Sequence, residues 1–271
     1  MSAADIPPFP ETSALAFYLG AHQPHWLRRA GFPLFVSHRQ LARRRSLRPA
    51  SCRWALDSGG FTELSLHGRW VTGAEDYAAA VARYGGKIGG LDFAAPQDWM
   101  CEPHILARTG LSVREHQDRT VASYLQSRRL APGLPFIPVL QGWHLADYLR
   151  CVRLYAAAGV DLAAVPLTGL GSVCRRQSTD EIAAVVAALA RLGIRLHGFG
   201  VKISGLRRYG HLLASADSMA WSYAARRLPA LPGCTSHKNC ANCLAYATGW
   251  RSRILSGNCQ GTLFDDPQAG P

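Results

Sequence analysis

A chain of 271 residues with 48% apolar side chains has room for one large α/β domain or two ordinary ones, each with a substantial core. No stretch approaches the roughly 18 apolar residues that a membrane span needs. The segment Met1 to Thr12 has neither a basic start nor an apolar core, so a secretory signal is not expected and a cytoplasmic location is.

The formal net charge is +12, from 30 Lys and Arg against 18 Asp and Glu, which favours a polyanionic partner such as nucleic acid. Much of it is arginine, at Arg28, Arg29, Arg39, Arg43, Arg44, Arg45 and Arg48. Arginine suits phosphate because its planar fork donates two parallel hydrogen bonds. The plainer reading of such a run is a solvated helix face.

Short β-type runs fall at residues 16–20, 33–37, 54–57, 88–92, 136–140, 162–166, 195–200 and 215–219. Helical periodicity falls between the later ones, at 74–84, 113–128, 145–158, 179–192 and 205–213. Ser178-Thr179-Asp180-Glu181 supplies capping residues ahead of Ile182, Val185, Val186 and Leu189. Alternating strands and helices predict an α/β chain, a single (β/α)8 TIM barrel over residues 1–233. A zinc-binding segment with a terminal helix is expected at 234–255, packed on the barrel, and a flexible polar tail at 256–271. The runner-up, an open doubly wound sheet, lacks a glycine-rich phosphate loop after its first strand, and Gly169-Leu170-Gly171 is too short to serve as one.

The chemistry gathers where those strands end. Asp57-Ser58-Gly59-Gly60-Phe61 closes the third with a carboxylate and a two-glycine turn, and glycine lets a backbone approach a ligand closely. The fourth offers Asp92 and then Asp98, the fifth Gln141-Gly142, and the sixth Thr168-Gly169-Leu170-Gly171. Gly198-Phe199-Gly200 ends the seventh, and Asp217 lies in the eighth. Barrel enzymes carry their catalytic groups on this rim. An aspartate there can equally be a helix N-cap or turn former, and for Asp92 that reading stands level with a functional one. Tyr18, His22, His25, Trp99 and Trp143 could stack on a base, although aromatic residues at such positions more often pack.

Eight cysteines with no secretory signal argue against a disulfide framework. Cys52, Cys101, Cys151 and Cys174 are scattered and read as small buried apolar residues. Cys234-x2-His237-x2-Cys240-x2-Cys243 matches a closed tetrahedral site for a structural Zn2+ ion. An iron–sulfur cluster is less natural with a histidine in the set.

Taken in order, these segments resemble the tRNA-guanine transglycosylase superfamily. Asp57-Ser58-Gly59-Gly60-Phe61 is similar to its DSGGF signature, and Asp92-x5-Asp98 to its two-aspartate segment. Val139-Leu140-Gln141-Gly142 resembles its VQGG segment, and Gly198-Phe199-Gly200-Val201 its GVGTP turn. Asp217 resembles its nucleophile, but Ser218-Met219-Ala220-Trp221 departs from the usual continuation. Ala95-Pro96-Gln97-Asp98-Trp99-Met100 and His197-Gly198-Phe199-Gly200-Val201-Lys202 look closer to the branch that places deazapurines in DNA.

The resemblance implies a pentosyltransferase that exchanges guanine for a 7-deazaguanine, with the 7-cyano base as the expected form and DNA preferred to tRNA. Asp57 and Asp217 would be catalytic. Asp98, Asp92, Ser58, Gly59, Gln141, Gly142, Gly169, Gly171 and Gly198 would bind substrate. It also implies a structural zinc, though there the histidine follows the cysteines, so His237 and Cys259 compete for the fourth position. A homodimer or a helper protein is a further expectation. The same exchange on tRNA, or a non-catalytic nucleic-acid-binding subunit with the same barrel, are the alternatives.

Overall fold

A computed structural model describes residues 15–174, 176 and 179–256. The expected cap at Ser178, the alternative ligand Cys259 and the tail beyond Ser256 lie outside the described residues.

Eight parallel strands form one curled sheet: β1 (Ala16–Ala21), β2 (Leu34–Ser37), β3 (Trp54–Asp57), β4 (Leu91–Ala94), β5 (Val139–Leu140), β6 (Thr168–Leu170), β7 (Leu196–Gly198) and β8 (Ser215–Ser218). Their order is β4-β3-β2-β1-β8-β7-β6-β5. An isolated parallel bridge links Ala94 of β4 to Phe136, in the segment that leads into β5. There Ala94 N–H donates to Pro135 at 3.0 Å and Ile137 N–H to Ala94 at 3.2 Å.

The curl follows from the two-residue period of the strands. Leu19, Val36, Leu56 and Ala94 join the large core that the helices cover. The alternate residues Tyr18, Phe35, Ala55 and Phe93 pack with one another and with Ile137 and Leu167 in a second cluster. Side chains on the same face of neighbouring and distant strands meet like this only when the sheet bends around them.

The covering helices include α1 (His38–Leu41), α2 (Gly60–His67), α3 (Ala74–Ile88), α4 (Pro103–Thr109), α5 (Val113–Leu130), α6 (Leu145–Ala157), α7 (Asp180–Arg191), α8 (Ile203–Tyr209), α9 (Ala220–Ala225) and α10 (Leu244–Leu255). Helix α5 starts with a full capping box, Ser112 accepting from Glu115 N–H while the Glu115 carboxylate accepts from Ser112 N–H. Helix α10 buries Tyr246, Ala247 and Trp250, and the Trp250 ring lies 6.1 Å from that of Phe17 in β1. No described helix is long and apolar enough to cross a membrane.

Two strands differ from expectation in ways that matter for the site. The fourth was expected at 88–92, but Gly89 and Gly90 take φ of 68° and 64° and end α3, so β4 begins at Leu91. Asp92 therefore lies inside a strand rather than at its end. The sixth was expected at 162–166, yet that segment is a turn in which the Asp161 carboxylate accepts from Ala163 N–H at 2.9 Å. The strand is Thr168–Leu170, whose glycine looked like loop chemistry. Gly169 fits because the Phe199 ring fills the space a Cβ would need, only 2.5 Å away. Of the four scattered cysteines, Cys101 and Cys151 are buried as expected, whereas Cys52 and Cys174 are only partly covered.

Candidate active site

Asp57 ends β3, and the turn after it explains the glycines. Gly59 has φ +83°, and a Cβ there would fall 2.9 Å from Arg39 Cγ and 3.2 Å from Ser37 Oγ. A side chain would be strained by the backbone and blocked by its neighbours at once. The turn delivers Gly59 N–H to the Asp57 carboxylate, and Ser37, its register partner in β2, adds a hydroxyl. Burial pushes the Asp57 carboxyl above its ordinary range. Those two hydrogen bonds pull it back, the Asp217 charge raises it again, and Arg39 lowers it. Asp57 and Asp217 therefore lie within electrostatic reach of one another.

Asp217 comes from β8, in register with Tyr18 of β1, and is 4% exposed. Its Oδ1 accepts from Gly200 N–H at 2.9 Å, in the turn that follows β7. His197 Nε2, from β7 itself, lies 3.3 Å from the same oxygen.

Asp98 completes the group, from the connection after β4. Gln141 Nε2 donates to its Oδ2 at 2.6 Å, and Ser58 Oγ reaches its Oδ1 at 3.5 Å. Burial pushes its carboxyl up to about 7 against the pull of the Gln141 amide, and the Asp57 charge adds to the rise. Asp57 of β3 thus lies within electrostatic reach of Asp217 of β8 on one side and of Asp98 in the β4 connection on the other.

Gln141 is itself held on every side. Its carbonyl accepts from Gln117 Nε2 at 2.7 Å, and its Oε1 accepts from Ser172 Oγ at 2.6 Å. A Cβ on Gly171 would fall within the Gln141 amide, so this glycine gives the amide its seat. Ser172 takes φ 56°, accepts from Cys101 N–H at 2.7 Å, and lies 3.0 Å from Glu102 Oε2. One hydroxyl proton cannot serve Gln141 and Glu102 together, so these two acceptors compete for it.

Other expected site residues sit elsewhere. Asp92 lies level with the start of β3, where its side chain accepts from the Tyr18 hydroxyl at 2.8 Å and from Arg53, the residue before that strand. Its place is the N-terminal end of the sheet, opposite the rim that carries Asp57. A shift of register between Trp54 and Ala55 turns it inward there. A Cβ on Gly142 would meet Asp147 and the start of α6, and one on Gly198 would meet Val201 and Leu213. Tyr18 and Trp99 are buried, Trp143 is covered by the Arg176 guanidinium at 3.8 Å, and His25 is exposed.

Beyond β8, the donor atoms of Cys234, His237, Cys240 and Cys243 all lie within 4.8 Å of one another. Cys234 Sγ and Cys243 Sγ are 3.9 Å apart, and His237 Nε2 is 3.4 Å from Cys240 Sγ. Ordinary zinc bond lengths give tetrahedral edges of about 3.8 Å between sulfurs and about 3.6 Å between nitrogen and sulfur. The four donors fit such an ion with His237 as the fourth ligand. The loop is tied to the sheet's rim, since Ser222 Oγ donates to Ala241 at 2.8 Å and lies 3.4 Å from His22 Nε2.

Compared with known families, the sequence matches the model for DpdA, deoxypurine in DNA protein A, over residues 14–267. The chain belongs to the DpdA family. This is the tRNA-guanine transglycosylase-like DNA modification family, so the protein is a transglycosylase-type enzyme of DNA guanine modification. No individual curated protein matches the chain. Ser37, Glu102 and Ser172 belong to none of the segments singled out in the sequence, and Arg39 and His197 stand there only within a basic run and a glycine turn. Only the alternation of inward-facing residues in β2 and β7 could have pointed to Ser37 and His197.

Proposed function

We propose that this protein exchanges guanine in DNA for a 7-deazaguanine, with the 7-cyano base as the incoming form, through a covalent aspartyl-glycosyl intermediate. The observation that supports the reading is that Asp57, at the end of β3, lies within electrostatic reach of both Asp217 and Asp98. The proposed scaffold is a closed (β/α)8 barrel whose C-terminal rim holds all three.

The Asp217 carboxylate attacks C1′ as the bond to N9 of guanine breaks, and the departing base takes a proton from Asp57. Burial, which raises the Asp57 carboxyl, keeps that proton available. The incoming base gives its N9 proton back to Asp57 and attacks C1′, releasing Asp217. Two inversions restore the β configuration, as in retaining glycosidases. Asp98 offers two acceptor oxygens to the N1–H and N2–H donors of guanine. Adenine would leave that acid unpaired, at a cost of about 1–3 kcal/mol. The target base must leave the stack to reach these groups, and the excess of basic side chains supports the phosphate contacts this needs. Zinc in the Cys234, His237, Cys240, Cys243 site would hold the C-terminal segment together and take no part in the exchange.

The test is incorporation of labelled guanine into DNA and, separately, into tRNA. Label in DNA supports the proposal, and label in tRNA alone overturns the choice of nucleic acid. Asp217→Asn should abolish exchange while leaving DNA binding intact. Undiminished turnover in that variant would refute the nucleophile.

A further inference from the structure

His197 is wholly buried in the middle of the curled sheet, ringed by Phe93 and Phe199 at 4.8 Å, Phe35 at 5.6 Å and Tyr18 at 6.0 Å. An imidazole in such a cage is costly unless both nitrogens find partners. Nδ1 lies 2.8 Å from Ser215 Oγ. Nε2 makes no well-aligned hydrogen bond among the described residues, and Asp217 Oδ1 stands 3.3 Å from it.

We infer that His197 is a positioning residue for the nucleophile, fixing the rotation of the Asp217 carboxylate so that Oδ2 is the oxygen presented to C1′. The inference rests on the reading of Asp217 as nucleophile and adds the device that aims it.

The tautomer follows from the neighbours. A bare Nε2 lone pair facing a carboxylate oxygen would be repelled, so Nε2 carries the hydrogen and Nδ1 accepts from the Ser215 hydroxyl. Oδ1 then faces two donors, Gly200 N–H from one side and His197 N–H from the other. Both come from β7 and its turn, and both fall on the same oxygen. A carboxylate held by one oxygen cannot flip, and its second oxygen is left to attack. The 3.3 Å separation is that of a hydrogen bond that tightens when substrate draws on the carboxylate. The aromatic cage keeps the imidazole from turning away.

The experiment compares His197→Phe, His197→Gln and Ser215→Ala with the unaltered chain in single-turnover formation of the DNA adduct, steady-state exchange and thermal melting. Phenylalanine keeps the ring packing and removes the N–H. Its kcat should fall by about 10- to 100-fold, the loss expected from a misplaced reacting group. KM for the base should stay within about twofold, because the lost contact serves the transition state. Glutamine restores an N–H donor and should recover part of the adduct rate. Ser215→Ala frees the other tautomer and should fall between the two. A His197→Phe protein that melts normally and forms adduct at the normal rate would overturn the inference. So would a rise in KM with kcat unchanged. If Asp217→Asn also turns over normally, the nucleophile assignment itself has failed. If Asp217→Asn is inactive and His197→Phe is normal, only the positioning role has.

Discussion

Asp98 offers the sharpest test of the base pocket, because its protonation state should govern binding across neutral pH. Burial holds its carboxyl at about 7 in the free protein. Guanine presents hydrogen-bond donors to it, so the ionised form is the one that binds. The ionised fraction is about 0.1 at pH 6 and about 0.9 at pH 8, so base affinity should rise about tenfold, or about 1.4 kcal/mol, across that interval. The same shift acts on stability in the opposite sense. The folded chain retains a proton that the unfolded chain has lost between about pH 4 and pH 7, so this group makes the fold less stable as pH rises through that window. Calorimetric titration of the 7-cyano base against the protein from pH 6 to pH 8 would read the first effect, and denaturant melts the second. Burial also raises the Asp57 carboxyl, and its charge reaches Asp98, which makes Asp98→Asn the essential control. That variant should bind weakly and with no pH slope. An affinity that does not change with pH, or a slope that survives in Asp98→Asn, would refute the assignment.

Three further outcomes are expected. Gly171→Ala should displace the Gln141 amide, costing about 1–3 kcal/mol in stability or base affinity, and normal values of both would remove Gln141 from the pocket. Asp92→Asn should lower stability through loss of its Arg53 pairing, by about 1 kcal/mol or less, with KM unchanged, and a selective rise in KM would place Asp92 in the substrate site. The purified protein should carry about one zinc per chain, and Cys240→Ser should lose both the metal and several degrees of melting temperature, whereas full thermal stability without metal would dismiss a structural role.

Much of the fold is legible in the sequence. Trp54–Asp57 is a strand in the structure as in the sequence, because its apolar run ends in a carboxylate and two glycines stop it at once. The cysteine and histidine spacing places four ligands together because they lie within ten residues, where local turns alone decide the geometry. The strand Thr168–Leu170 is not legible in the sequence because a glycine inside a strand has no local signature: its reason is the Phe199 ring, from the turn after β7, packed over it. Asp92 was misplaced because two left-handed glycines delay β4 by three residues, and only the register with β3 tells which end of the sheet an aspartate occupies.

The sequence by itself determined the alternation of strands and helices, the order of the motifs and the composition of the metal cluster. All of these depend on residues close together along the chain. Only the tertiary structure decided which acids come within electrostatic reach of one another, which glycines seat an amide or a ring, and that a buried histidine stands beside Asp217. Those facts belong to the curl of the sheet, which brings side chains from β2, β3, β7 and β8 within a few ångströms of one another across some 180 residues of chain. Local preferences hold no record of a meeting at that range.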